Sequence, residues 1–180
     1  MNERGIGSRT RKRARALTGA VRGTVLVLAV VAAYTHAAGP ADPGATFLQK
    51  AAEANAAEIK TSQVAQTSAT DPAVKAFADR MVDEHAANEH ALDALAKKRK
   101  VTVDDGPDPA RQIRIGTLQK LDGPAFDHAY VKTMIEDHAA AIGLFENASR
   151  TIDDAEIGQF IDATLPVLRE HAEAAKALAH

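Results

Sequence analysis

The chain has 180 residues, an ordinary length for about one domain. Apolar residues make up 46% of it and aromatics 4%, with no Trp and no Cys, which excludes disulfides, cysteine-based zinc sites and a lipidated cysteine. The formal charge of -2 hides an asymmetry: the first 22 residues carry Arg4, Arg9, Arg11, Lys12, Arg13, Arg15 and Arg22 against Glu3, so the remainder holds -8. A body of that sign argues against nucleic-acid binding, which needs a basic face.

The apolar run Gly23 to Tyr34 follows the basic cluster, and the small residues Thr35, Ala37 and Ala38 precede Gly39-Pro40. A charged start, a short apolar stretch and a small-residue exit predict a secretory signal peptide over 1–38. The other reading is an N-terminal membrane anchor, for which the run is short against a span of about 20 residues. Cleavage near Ala37 or Ala38 is favoured over retention. The expected location is therefore the periplasm or cell envelope, with membrane contact only through this segment if it is uncleaved. Pro40, Pro43 and Gly44 mark a linker over 39–45.

Residues 46–180 predict an all-α domain, an antiparallel four-helix bundle. The first helix is expected from Thr46, as N-cap, to Thr67. The second begins at Asp71-Pro72, with Asp as cap and Pro in the first turn, and ends at the basic run Lys97 to Lys100. A turn region, Asp104 to Pro109, leads to a short extra helix over Pro109 to Lys120. The third long helix spans Pro124 to Arg150. The fourth starts at Asp153 or Asp154, runs to the C-terminus and contains Pro166, which removes one helical hydrogen bond. No strand-like alternation occurs. Short turns at 68–71 and 151–153 imply two helical hairpins.

Core positions on such helices recur at steps of three and four. The second helix then buries Val74, Ala78, Met81, His85, Asn88, Leu92 and Leu95. The third long helix buries Val131, Met134, His138, Ala141, Phe145 and Ala148. The fourth buries Ile157, Ile161, Thr164, Leu168, His171, Ala175 and Leu178. Each stripe carries one histidine among apolar residues, whereas His90 and His128 fall off the stripes. The first helix allows two stripes: Ala51, Asn55, Glu58, Ser62 and Ala65, or Leu48, Ala52, Asn55, Ile59 and Ser62. Only the former buries Glu58. Counted from the turns, with both turns at one end, His85 and His138 are nearly level and His171 is offset by about one helical turn. A full-length crossover would carry His171 farther away.

Three imidazoles and one carboxylate can complete a four-coordinate metal site. The candidate ligands are His85, His138, His171 and Glu58, and the ion would be a single Zn, Fe, Cu or Mn. Glu84, Asp137 and Glu170 each precede a histidine and are rotated about 100° from it, so they are flanking groups that can hold imidazoles on a neighbouring helix. The competing reading is a polar core layer in which neutral histidines bond to Asn88, Asn55, Thr164 or Glu58 and fix the register. On spacing alone the polar core stands slightly ahead. No serine-histidine-aspartate order, glycine-rich phosphate loop or His-Glu-x-x-His motif is present, so no catalytic residue is assigned and a non-catalytic role is favoured.

Phe47-Leu48 with Ala51-Ala52, Glu58-Ile59, Val74-Lys-Ala-Phe-Ala, Met81-Val-Asp-Glu-His85, Phe126-Asp-His-Ala-Tyr130, Asp137-His138, Leu165-Pro166 and His171 together resemble an exported bacterial family of unassigned function, the domain of unknown function numbered four-one-four-two. The resemblance covers 46–180 and implies a ferritin-like bundle, without an established activity. It also invites a di-iron reading, which the residues resist. Di-iron bundles use Glu-x-x-His pairs on two helices, and three residues before His85, His138 and His171 stand Val82, Ile135 and Leu168. A single-metal histidine site is thus the sharper expectation. Metal-dependent oxidoreduction, metal handling or a metal-free envelope interaction module are the alternatives. A homodimer is also considered.

Overall fold

The computed structural model describes residues 42–179. The expected leader, its exit and His180 lie outside them, as does the linker before Asp42. Among the described residues are five helices and no strand: α1 (Pro43–Ser68), α2 (Pro72–Lys98), α3 (Pro109–Leu118), α4 (Gly123–Thr151) and α5 (Ala155–Ala177). None of these helices is long and apolar enough to cross a membrane.

The same chemistry starts every helix. Asp42, Asp71, Asp108, Asp122 and Asp154 occupy the N-cap positions, and all but Asp122 accept a hydrogen bond from a backbone N–H of the first turn. Helix α1 begins three residues before Thr46, because Asp42 caps it and Pro43 sits where no N–H is needed. Part of the expected linker is therefore helical. Thr46 lies in the first turn, its hydroxyl donating to the Asp42 carbonyl at 3.0 Å. Gly44 serves close packing: a Cβ there would stand 2.9 Å from Ile157 Cδ1. Pro166 lies on the exposed side of α5, and the helix continues through it.

Helix α1 packs against α2 and α4, and α5 against α4 and α2, with α2–α5 the thinnest of these seams. The apolar interior has two clusters. One gathers Phe47, Leu48, Leu92, Phe145, Ile157, Ile161 and Leu168. The other gathers Ala65, Phe77, Met81, Phe126, Tyr130, Met134 and Ala175. Helices α1 and α5 meet the first cluster and then the second; α2 and α4 meet them in reverse. The connection from α2 to α4 must then pass from one cluster to the other. Its early residues Val101 and Val103 pack on the first cluster, and Leu118 and Leu121 on the second. Helix α3 rests on α1 and α4 along that path.

The expected stripes hold on all four long helices, except that Asn88, Leu95 and Leu178 are half-buried. On α1 every member of the stripe Ala51, Asn55, Glu58, Ser62 and Ala65 is buried, whereas Ile59 is half-exposed. Glu58 is therefore inside. Between the two apolar clusters lies a polar layer of Asn55, Glu58, Ser62, His85, His138 and His171.

Candidate metal centre

Three helices each bring one imidazole into that layer: α2 brings His85, α4 His138 and α5 His171. They are 4%, 0% and 1% exposed. Ring centroids are 5.7 Å apart for His85–His138 and 5.3 Å for the other two pairs. One ring nitrogen from each lies within 4.8 Å of the others. The triangle is nearly equilateral, so His171 reaches the other two rings. The count with both turns at one end does not apply: the α1–α2 turn adjoins the second apolar cluster through Ala69 and the α4–α5 turn the first through Ile152, and the crossover between them does not carry His171 away from the other rings.

Each ring has one nitrogen held and one free. His85 Nδ1 lies 2.9 Å from Asn55 Oδ1. Asn55 Nδ2 donates back to the His85 carbonyl at 2.9 Å, and Asn88 Nδ2 donates to the same Asn55 oxygen at 2.9 Å. This orients Asn55 so that its oxygen faces the ring. His138 Nδ1 lies 2.8 Å from the Met134 carbonyl. His171 Nε2 lies 2.6 Å from Glu84 Oε2. Carbonyl and carboxylate oxygens only accept, so these three nitrogens carry the protons. The opposite nitrogens, His85 Nε2, His138 Nε2 and His171 Nδ1, are buried without a partner. Each presents a lone pair. Burial drives the rings toward neutrality: His85 is pushed down to about 3, with the neighbouring histidines adding to the effect, and His138 to about 4. Burial also lowers His171, although Glu84 opposes it. Neutral imidazoles are the form that ligates metals.

A family model described as "Domain of unknown function (DUF4142)" matches residues 29–178. The chain belongs to this family. A solved structure, a DUF305 fragment from Deinococcus radiodurans, is similar to the DUF4142 chain with a TM-score of 0.69 at 11% identity, covering 78% of this chain and 98% of that one. That likeness concerns the fold alone. No curated protein matches significantly.

Glu58 of the DUF4142 chain stands beside the triad and is not among the mutually close donors. Its Oε1 is 3.6 Å from His138 Nδ1, the nitrogen already held by Met134, and its Oε2 has no partner. Burial raises its carboxyl well above the usual range, and the charge of Asp137 pushes the same way, while Arg111 and Arg114 oppose. Of the four candidate ligands, the fold thus brings three together and sets the fourth at the outer edge of His138.

The acidic neighbours separate in role. Glu84 reaches across from α2 to hold His171 on α5, and Arg80 Nε donates to Glu84 at 2.7 Å. Glu170 pairs with the same Arg80 at 2.7 Å. Asp137 does not flank the site in solvent: it is buried and paired with Arg114 of α3. Sequence reasoning missed Arg80 and Arg114. The four-residue step from Arg80 to Glu84 is a local signal for the first; Arg114 has none, because α3 is placed by the crossover.

Proposed function

We propose that this DUF4142 chain is an exported helical bundle that binds one transition metal ion, Zn, Fe, Cu or Mn, through His85, His138 and His171. One observation carries the reading: three buried imidazoles each put a ring nitrogen within 4.8 Å of the others, and each ring has one nitrogen held by an acceptor and one buried without a partner. Metal-ligating histidines are held this way. Without a shared cation, each of these buried acceptors would stay unpaired, at about 1–3 kcal/mol apiece. The donor set also fits the group: ligating nitrogens on a tetrahedral ion stand about 3.4 Å apart, and here one nitrogen of each ring lies within 4.8 Å of the others. When bound, such an ion supplies Lewis acidity or, for Fe, Cu and Mn, a redox centre. Asn55 and Glu84 orient two of the rings.

The architecture we read is an antiparallel four-helix bundle of ferritin-like topology, supported by the reversed order of the two apolar clusters on α2 and α4 and by the long crossover between them. Val82, Ile135 and Leu168, where a di-iron site needs glutamates, support one ion rather than two. A second reading keeps the layer as a register-fixing polar core, favoured by the Asn55, Asn88 and Thr164 bonds. Metal analysis of the untagged chain separates the two. The expected result is stoichiometric metal and a chelator-sensitive thermal shift. Less than about 0.1 equivalent, with no shift on adding Zn, Fe, Cu or Mn, refutes metal binding. Oxygen consumption with Fe(II) no faster than free iron refutes an oxidase version.

A further inference from the structure

The triad offers three ligands and a tetrahedral ion takes four. Glu58 is not within the converging group. Where α2 and α5 make their thinnest seam, a groove of about 360 Å³ opens between them. His85 and His171 both line it. These are buried side chains with an unpartnered nitrogen each. The remaining walls include Ala87, Ala91 and Ala163, whose small side chains keep the seam open, and Phe160.

We propose that the centre's fourth position faces this groove and takes an exogenous ligand: a small uncharged molecule with one nitrogen donor and a flat apolar body. The inference rests on the metal reading above. The volume is at the low end of small-ligand pockets, roughly 300–1,000 Å³, which suits one or two rings. The ion's own charge would attract an anion; against that, Glu84 is the one charged residue of the lining and repels it, and no cationic side chain lines the groove to add to the attraction. Arg80 and His171 already engage Glu84. Asn88 and Thr164, the other polar members, bond to each other at 3.3 Å. An aromatic wall and small aliphatic residues favour a ring. Three protein ligands with an open, lined position characterise reactive rather than purely structural metal sites.

The untagged full chain loaded with Co(II), whose visible absorption reports its ligands, tests this. Imidazole, 4-phenylimidazole and azide are titrated separately. The absorption should shift with 4-phenylimidazole, which should bind at least about tenfold tighter than imidazole because its phenyl ring is buried in the groove. Ala163→Phe and Ala91→Phe fill the seam from opposite helices. Either should leave Co(II) binding unchanged and weaken 4-phenylimidazole by about tenfold. Bound Co(II) with no response to 4-phenylimidazole overturns the inference and leaves the metal reading standing. So does equal affinity in both phenylalanine variants. Azide binding tighter than 4-phenylimidazole overturns the uncharged class. No Co(II) binding at all overturns the metal reading and the inference with it.

Discussion

Lowering the pH from 7.5 to 5.0 in chelated Glu58→Gln protein tests the burial of the imidazoles quantitatively. His85 and His138 are depressed to about 3 and about 4 from the ordinary 6.5. Between those values the unfolded chain binds protons that the folded chain does not. Stability is therefore complete above about pH 6.5 and is lost as the pH falls toward the folded values. At pH 5.0 each histidine costs about 2 kcal/mol, so the pair costs about 4 kcal/mol. His171 is lowered as well and acts with the same sign. Glu58 acts with the opposite sign: a carboxyl raised by burial destabilises the fold as the pH rises, so its substitution isolates the histidines. The lowered carboxyls of Glu84, Asp108, Asp127 and Asp154 lose their contributions chiefly below this window. With a urea slope of about 2 kcal/mol/M, the midpoint followed by far-UV circular dichroism should fall by about 2 M. A fall below about 0.5 M would show that the three rings are not buried and neutral as described.

Glu58→Gln itself should raise the urea midpoint at pH 7.5 and lose that advantage toward pH 5, because it removes the cost of a buried ionisable carboxyl; a lower midpoint at pH 7.5 contradicts this. His138→Ala should abolish metal binding and its thermal shift. Equal destabilisation with and without chelator would instead assign His138 to a register-fixing core. Asp127→Ala removes the acceptor for Thr70 N, Thr70 Oγ1 and Asp71 N at the α1–α2 turn. It should cost about 1–3 kcal/mol in urea denaturation, and a change under about 0.5 kcal/mol would deny the turn that role.

Local chemistry made much of this chain readable. Asp71-Pro72, Asp154 and the spacing of Val131, Met134, His138, Ala141 and Phe145 act within a turn or two of their own helix, so sequence periodicity places them. Asp42 escaped notice because Pro43 and Gly44 look like linker residues. At a first helical turn their missing N–H and missing Cβ are advantages.

The sequence alone determined the helices, the buried faces of α2, α4 and α5 and the presence of one histidine on each of those three stripes, because capping and 3.6-residue periodicity are local properties. It also showed, through Val82, Ile135 and Leu168, that the three histidines lack the Glu-x-x-His spacing of a di-iron site. Only the tertiary structure decided how the stripes meet. The crossover through α3 carries the chain from one apolar cluster to the other, which sets the direction of α4 and α5 and delivers Arg114 to Asp137. The packing of α5 against α4 and α2 brings the His171 ring to 5.3 Å from each of the other two. The same placement brings Glu84 to His171 and leaves Glu58 outside the triad. Those outcomes depend on contacts between residues as far apart as 84 and 171, and helical spacing carries no information about which helix will stand opposite or at what height.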